Sequence, residues 1–119
     1  MHNFRSLKVW QKSVDFAVMI YQATANFPND EKFGMVSQMR RAGVSIPSNI
    51  AEGSAKSSNK SFCISLETSL GESFELETHV EICKRIGLLN EQKSLLFEQN
   101  LIEIQRMITG LKSSLTTKS

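Results

Sequence analysis

No proline occurs after Pro47, and from Asn59 onward apolar residues return every three or four positions. A chain with that spacing and no imino acid to interrupt it forms long amphipathic helices. Phe62, Leu66, Leu70, Ser73, Leu76 or Glu77, and Val80 mark one stripe, and Phe97, Leu101, Ile104, Ile108, Leu111 and Leu115 mark another. The pair Ile86-Gly87 stops the first of them, with Lys84 and Arg85 placed to meet the helix dipole. Asn90 suits the N-cap of the second.

The first half reads as two further helices. Ser6 is the expected cap of the first, followed by Leu7, Trp10, Val14, Ala17, Tyr21 and Ala25 as its apolar stripe, thickened by Val18. The cluster Asn26-Phe27-Pro28-Asn29-Asp30 ends it. Asn29 or Asp30 caps the next, which begins with Phe33, Val36, Met39 and Arg40. Gly43 weakens this second helix, and Pro47 lacks the amide that the Gly43 carbonyl would accept. The spacing therefore predicts a kink or break between Gly43 and Pro47, with Ser45 capping a restarted helix. The expected fold is an all-α, up-down antiparallel four-helix bundle in a single domain over 1–119, with helices near 6–26, 30–56, 59–86 and 90–115.

Composition excludes more chemistry than it suggests. The balance of 14 Lys+Arg against 12 Asp+Glu does not mark a nucleic-acid binder. Cys63 and Cys83 lie about 30 Å apart along one helix, beyond disulfide reach, and are read as reduced thiols. His2 and His79 are the only histidines, so no zinc spacing exists, and Glu75 with His79 lacks the second motif of a di-metal bundle. No nucleophile-base pair and no glycine-rich phosphate loop is present. No catalytic, metal or cofactor site is expected, and no small-molecule substrate. There is no secretion signal and no apolar run of membrane-spanning length, so the expected location is the cytoplasm.

Three groups remain as candidates. Arg40 and Arg41 precede a small-residue segment, and a helix points adjacent residues about 100° apart. One of the two is expected to turn toward the glutamates of the third helix, Glu72 and Glu75 among them. Its loss would strand a buried carboxylate and cost about 3–5 kcal/mol. Small residues in the segment that carries Ser45, Ile46, Pro47, Asn49, Ile50 and Glu52 suit close packing of helices. Arg5, Lys8 and Lys12 share one helical face and form a candidate phosphate-contacting patch, with Trp10 expected on the core stripe away from them. Met19, Ile20, Ile64, Ile82, Leu96 and Ile102 exceed what the stripes can hide, which points to burial against another chain.

Several blocks resemble the four helix bundle proteins also called 23S ribosomal RNA intervening-sequence proteins. They are Phe4…Leu7-Lys-Val-Trp10-Gln-Lys, Tyr21, Phe27-Pro28…Glu31, Gln38-Met-Arg40-Arg41-Ala42, Ser45-Ile-Pro-Ser-Asn-Ile-Ala-Glu-Gly53 and Leu70-Gly-Glu-Ser73…Glu75-Leu-Glu77-Thr78. Within the last block the family more often shows Gly-Ser. The resemblance implies a four-helix protomer in a homopentameric ring without known enzymatic activity. Relatives in diversity-generating retroelements, the accessory variability proteins, are basic adaptors that bind nucleic acid and a reverse transcriptase. The present chain is nearly neutral by comparison. The expected role is a non-enzymatic, homo-oligomeric interaction module. The alternative is an adaptor that binds nucleic acid, RNA or DNA, and serves a reverse transcriptase or a structured RNA.

Overall fold

The computed structural model describes residues 2–117. A 3-10 turn at Phe4–Ser6 leads into helix α1 (Lys8–Thr24), and α2 (Ser37–Ser54), α3 (Asn59–Arg85) and α4 (Glu91–Thr117) follow. Contacts along the helices run in opposite directions at every seam. Arg40 reaches Thr24 while Gly43 faces Ala17, Ser69 bonds Ile46, Asn59 bonds Leu115, and Phe16 meets Phe97. The architecture is an all-α, up-down four-helix bundle of 47 × 23 × 20 Å. α2 packs most extensively on α3, then α3 on α4 and α1 on α2; α1 touches α4 only lightly.

The termini show which local signals act. Ser58 accepts the Ser61 amide at 3.1 Å and opens α3, and Asn90 accepts the Lys93 amide at 2.7 Å to open α4. Gly87 has φ +85, a conformation that favours glycine, and closes α3. Ser6 is not the cap of α1. It belongs to the 3-10 turn, which Asn3 caps by accepting the Arg5 amide at 3.2 Å, and α1 starts without a side-chain cap.

α2 also departs from expectation. It is preceded by a 3-10 turn at Asn29–Glu31 and a π-helical turn at Lys32–Val36, and neither Asn29 nor Asp30 caps it by side chain. From Ser37 to Ser54 it is one helix with Pro47 inside, so the expected break and the restart at Ser45 do not occur. Pro47 removes one helical hydrogen bond at a cost of about 3 kcal/mol. Met39, Ala42, Ile46 and Ile50 lie on both sides of it, each at most 1% exposed. Each large apolar side chain among them contributes about 1.5–3 kcal/mol on burial. Core burial of the continuous helix outweighs the single lost bond. The irregularity sits upstream instead, where the π turn leaves Phe33 88% exposed under the Lys32 ammonium rather than in the core.

The stripes of α3 and α4 lie in the core as their spacing requires, except that Leu70 and Leu111 are half-buried at its margin. In α1 the core face is Val9, Ser13, Phe16, Ala17, Ile20 and Thr24, not the run from Trp10 to Tyr21. Ala17 alone is shared by both sets. Ile20, expected among the surplus apolar residues, is fully buried. Among the described residues no helix is long and apolar enough to cross a membrane.

Candidate interaction surface

The side chains displaced from the core face of α1 form the main surface feature. Trp10, Val14, Val18 and Tyr21 line one wall of a groove of about 660 Å³, and Val44, Pro47, Ser48 and Ala51 of α2 line the other. The groove exists because α2 offers small residues here, so the large side chains of α1 have nothing tall to pack against. Val18 is 50% exposed, Tyr21 44% and Val44 43%. Phe4 closes one end edge-on to Trp10, with ring centroids 5.0 Å apart.

Cations stand at both ends. The Arg5 guanidinium lies 5.6 Å from the Phe4 ring and 5.7 Å from the Trp10 ring. Trp10 is therefore beside a cation, contrary to the expectation from its stripe. At the other end Arg40 sits 4.5 Å above the Tyr21 ring, donates from Nε to Thr24 Oγ1 at 3.0 Å and from Nη2 to the Tyr21 carbonyl at 3.3 Å. Arg40 thus fastens α2 to α1, whereas its neighbour faces α3.

Arg41 donates from Nη1 to Glu72 Oε2 at 3.0 Å and from Nη2 to Glu75 Oε2. The Arg41 side chain is 47% exposed, Glu72 20% and Glu75 40%, so removing Arg41 would not strand a buried carboxylate. The contact joins α2 to α3 within one chain and is worth far less than the 3–5 kcal/mol of a buried pair. His79 Nε2 lies 4.0 Å from the same Glu75 oxygen and makes no hydrogen bond.

The segment after Arg41 divides by face. Ile46 and Ile50 are core, and Pro47 is buried at the groove. Asn49 Nδ2 donates to the Ser45 carbonyl at 2.8 Å and to Ser45 Oγ at 3.1 Å, so this polar pair satisfies itself on the outer side. Glu52 is exposed and in no ion pair among the described residues.

Arg5, Lys8 and Lys12 do not form one free patch. Lys12 donates to Asn100 Oδ1 at 3.0 Å and pairs with Glu103 at 3.2 Å, pinning α1 to α4. Lys8 is exposed, and Arg5 rests on its aromatic neighbours. On α3, hydrogen bonding from Arg85, aided by the Lys84 charge, holds Glu81 below the usual carboxylate range. Glu77 meets no cation among the described residues and accepts from Gln105 at 2.8 Å.

Both cysteines are buried thiols, and Cys83 touches Met39 Sδ at 3.7 Å. Burial, with the charge of Glu31 behind it, pushes the Cys83 thiol up to about 11. A thiol so raised is an inert packing group at neutral pH. Among the described residues no three His, Cys, Asp or Glu side chains gather as metal ligands.

The groove was within reach of the sequence. Val9, Phe16 and Ile20 form a second apolar stripe on α1 beside that of Trp10, Val14 and Tyr21, and one bundle core can take only one of the two.

Comparison with known proteins agrees with this architecture. A crystal structure of a Bacteroides thetaiotaomicron protein of unknown function, from the S23 ribosomal protein family, superposes with a TM-score of 0.79 at 28% identity, covering 87% of this chain and 97% of that one. No curated protein matches the chain. The pattern of the 23S rRNA-intervening sequence proteins matches residues 5–110, a span that holds the groove, both arginines and most of α4. With that match over nearly its whole length, the chain belongs to the 23S rRNA-intervening sequence protein family.

Proposed function

We propose that this protein is a non-enzymatic assembly module whose copies join into a homopentameric ring that recruits a partner. The observation that carries the reading is the open apolar groove between α1 and α2. It is joined by Ile64, Phe74 and Ile82 on α3 and by Leu95, Leu96 and Ile102 on α4, each at least 40% exposed. Apolar surface of this extent is normally covered by another chain. Copies arranged around a cyclic axis cover it in every subunit at once. The number five rests on the family resemblance alone. Light scattering coupled to gel filtration at micromolar concentration tests the reading. Five chain masses are expected; a monomer would remove the assembly, and another closed number would remove only the five.

Nucleic-acid binding is the second reading, and Arg5 is the observation that favours it. Arg5 is exposed, pairs with no carboxylate among the described residues and lies 5.7 Å from the Trp10 ring, and a ring would repeat it in every copy. Binding to structured RNA or duplex DNA should fall steeply with salt and vanish when Arg5 and Lys8 are both replaced by glutamate. Lys12 is left intact because it anchors α4. Affinity unchanged in that double variant would exclude the patch.

A further inference from the structure

We infer that the α1–α2 groove of one copy receives the outward stripe of α3 from the next copy, in a head-to-tail contact. The inference rests on the assembly reading and names the two faces that meet. Among the described residues Arg5 is the only charged one lining the groove, and Arg40 covers its far end through Tyr21. Neither has a carboxylate partner among the described residues. Their aromatic supports, Trp10 and Tyr21, are eleven residues apart on one helix, about 16 Å.

The outward stripe of α3 is Ile64, Thr68, Gly71, Phe74, Thr78 and Ile82, spaced three or four apart and all exposed. Ile64 is 58% exposed, Phe74 51% and Ile82 41%. Gly71 stands in the middle with nothing within 4 Å of where a Cβ would be. A helical glycine costs about 0.5–1 kcal/mol against alanine, and nothing inside the protomer requires this one. A second backbone approaching from outside would require it. Beside the stripe stand Glu67 and Glu77, ten residues and about 15 Å apart. Among the described residues Glu77 meets no cation, and Glu67, 61% exposed, meets Lys112 only at 3.6 Å. No lysine or arginine lies on α3 between Lys60 and Lys84.

The two faces therefore match in shape, with an apolar groove facing an apolar ridge. They also match in charge, with two cations whose aromatic supports lie about 16 Å apart along α1 and two glutamates about 15 Å apart along α3. Groove against groove would place Arg5 and Arg40 against their own copies, and ridge against ridge would do the same to the glutamates. Charge selects the heterologous pairing, which is the kind that closes into rings.

A mixing experiment tests the pairing. Val18→Glu spoils the groove and Phe74→Glu spoils the ridge, each by burying an unpaired carboxylate, and each should weaken the contact about a hundredfold or more. Each variant alone should run as a monomer at micromolar concentration with wild-type helicity by circular dichroism. Mixed in equal amounts they should form a heterodimer and nothing larger, because one intact groove then meets one intact ridge. Should either variant lose helicity, Val44→Glu and Gly71→Glu replace them at positions exposed in the protomer. Retention of the wild-type mass by either single variant, or a mixture that stays monomeric, overturns the pairing while leaving assembly intact. A monomeric wild type takes down the assembly reading itself, and the pairing with it.

Discussion

α2 meets its two neighbours in opposite ways. Toward α3 it is pressed so close that a Cβ on Gly53 would fall 2.7 Å from Phe62 Cδ1 and from Ser65 Cβ. There Ser69, fully buried, donates to the Ile46 carbonyl at 2.9 Å. Toward α1 the small residues of the same helix leave a groove at Val44, Ser48 and Ala51. Small side chains thus do two different jobs, set by what the facing helix presents. α3 sends core residues into the space, while α1 sends its core stripe elsewhere and leaves its second apolar face open. A closed seam serves the protomer, and an open one can serve a partner.

This contrast can be broken or sharpened by substitution. Gly53→Ala strikes the closed seam hardest: its methyl must push α2 from α3, and thermal or denaturant unfolding should show a loss of about 2–3 kcal/mol. Ser69→Ala removes one buried hydroxyl from the same seam and should lower stability by about 1 kcal/mol. Gly43→Ala probes α2 where it faces α1. There the new Cβ would stand 3.8 Å from Ala17 Cα and 3.9 Å from Ile20, which is ordinary contact. It should raise stability by about 0.5–1 kcal/mol, and a loss comparable to that of Gly53→Ala would erase the distinction between the seams. Arg41→Ala should be the mildest, about 0.5 kcal/mol and diminishing with salt, because Arg41 and Glu75 are substantially exposed and Glu72 is not fully buried.

The sequence revealed the fold more fully than the surface, for identifiable reasons. Phe97 to Leu115 form the only apolar stripe dense enough to be core on α4, so spacing alone oriented that helix. On α1 two adjacent stripes compete, and periodicity carries no term for which one the other helices will claim. Pro47 does not end α2, because helix propensity is local, whereas the burial of Met39, Ile46 and Ile50 that holds α2 together is set by all four helices. The divergence of Arg40 and Arg41 followed from helical geometry, but the side each would take depended on the placement of Tyr21 and Glu72. Lys12 matched Arg5 and Lys8 by spacing, and only the nearness of Asn100 and Glu103 removes it from a free patch.

The light packing of α1 on α4 carries a consequence for motion. α2, α3 and α4 are joined by the two most extensive seams, while α1 is fastened chiefly along one side, with the Lys12 contacts and the Phe16–Phe97 ring pair on the other. Local opening follows the weakest attachments, so α1 is the unit expected to detach first, ahead of global unfolding. Its amides should exchange with deuterium sooner than those of α3. Because α1 is one wall of the groove, an occupant of that groove would slow the exchange of α1 more than that of any other helix. The exchange clock of α1 thus becomes a reporter of occupancy that needs no knowledge of what has bound.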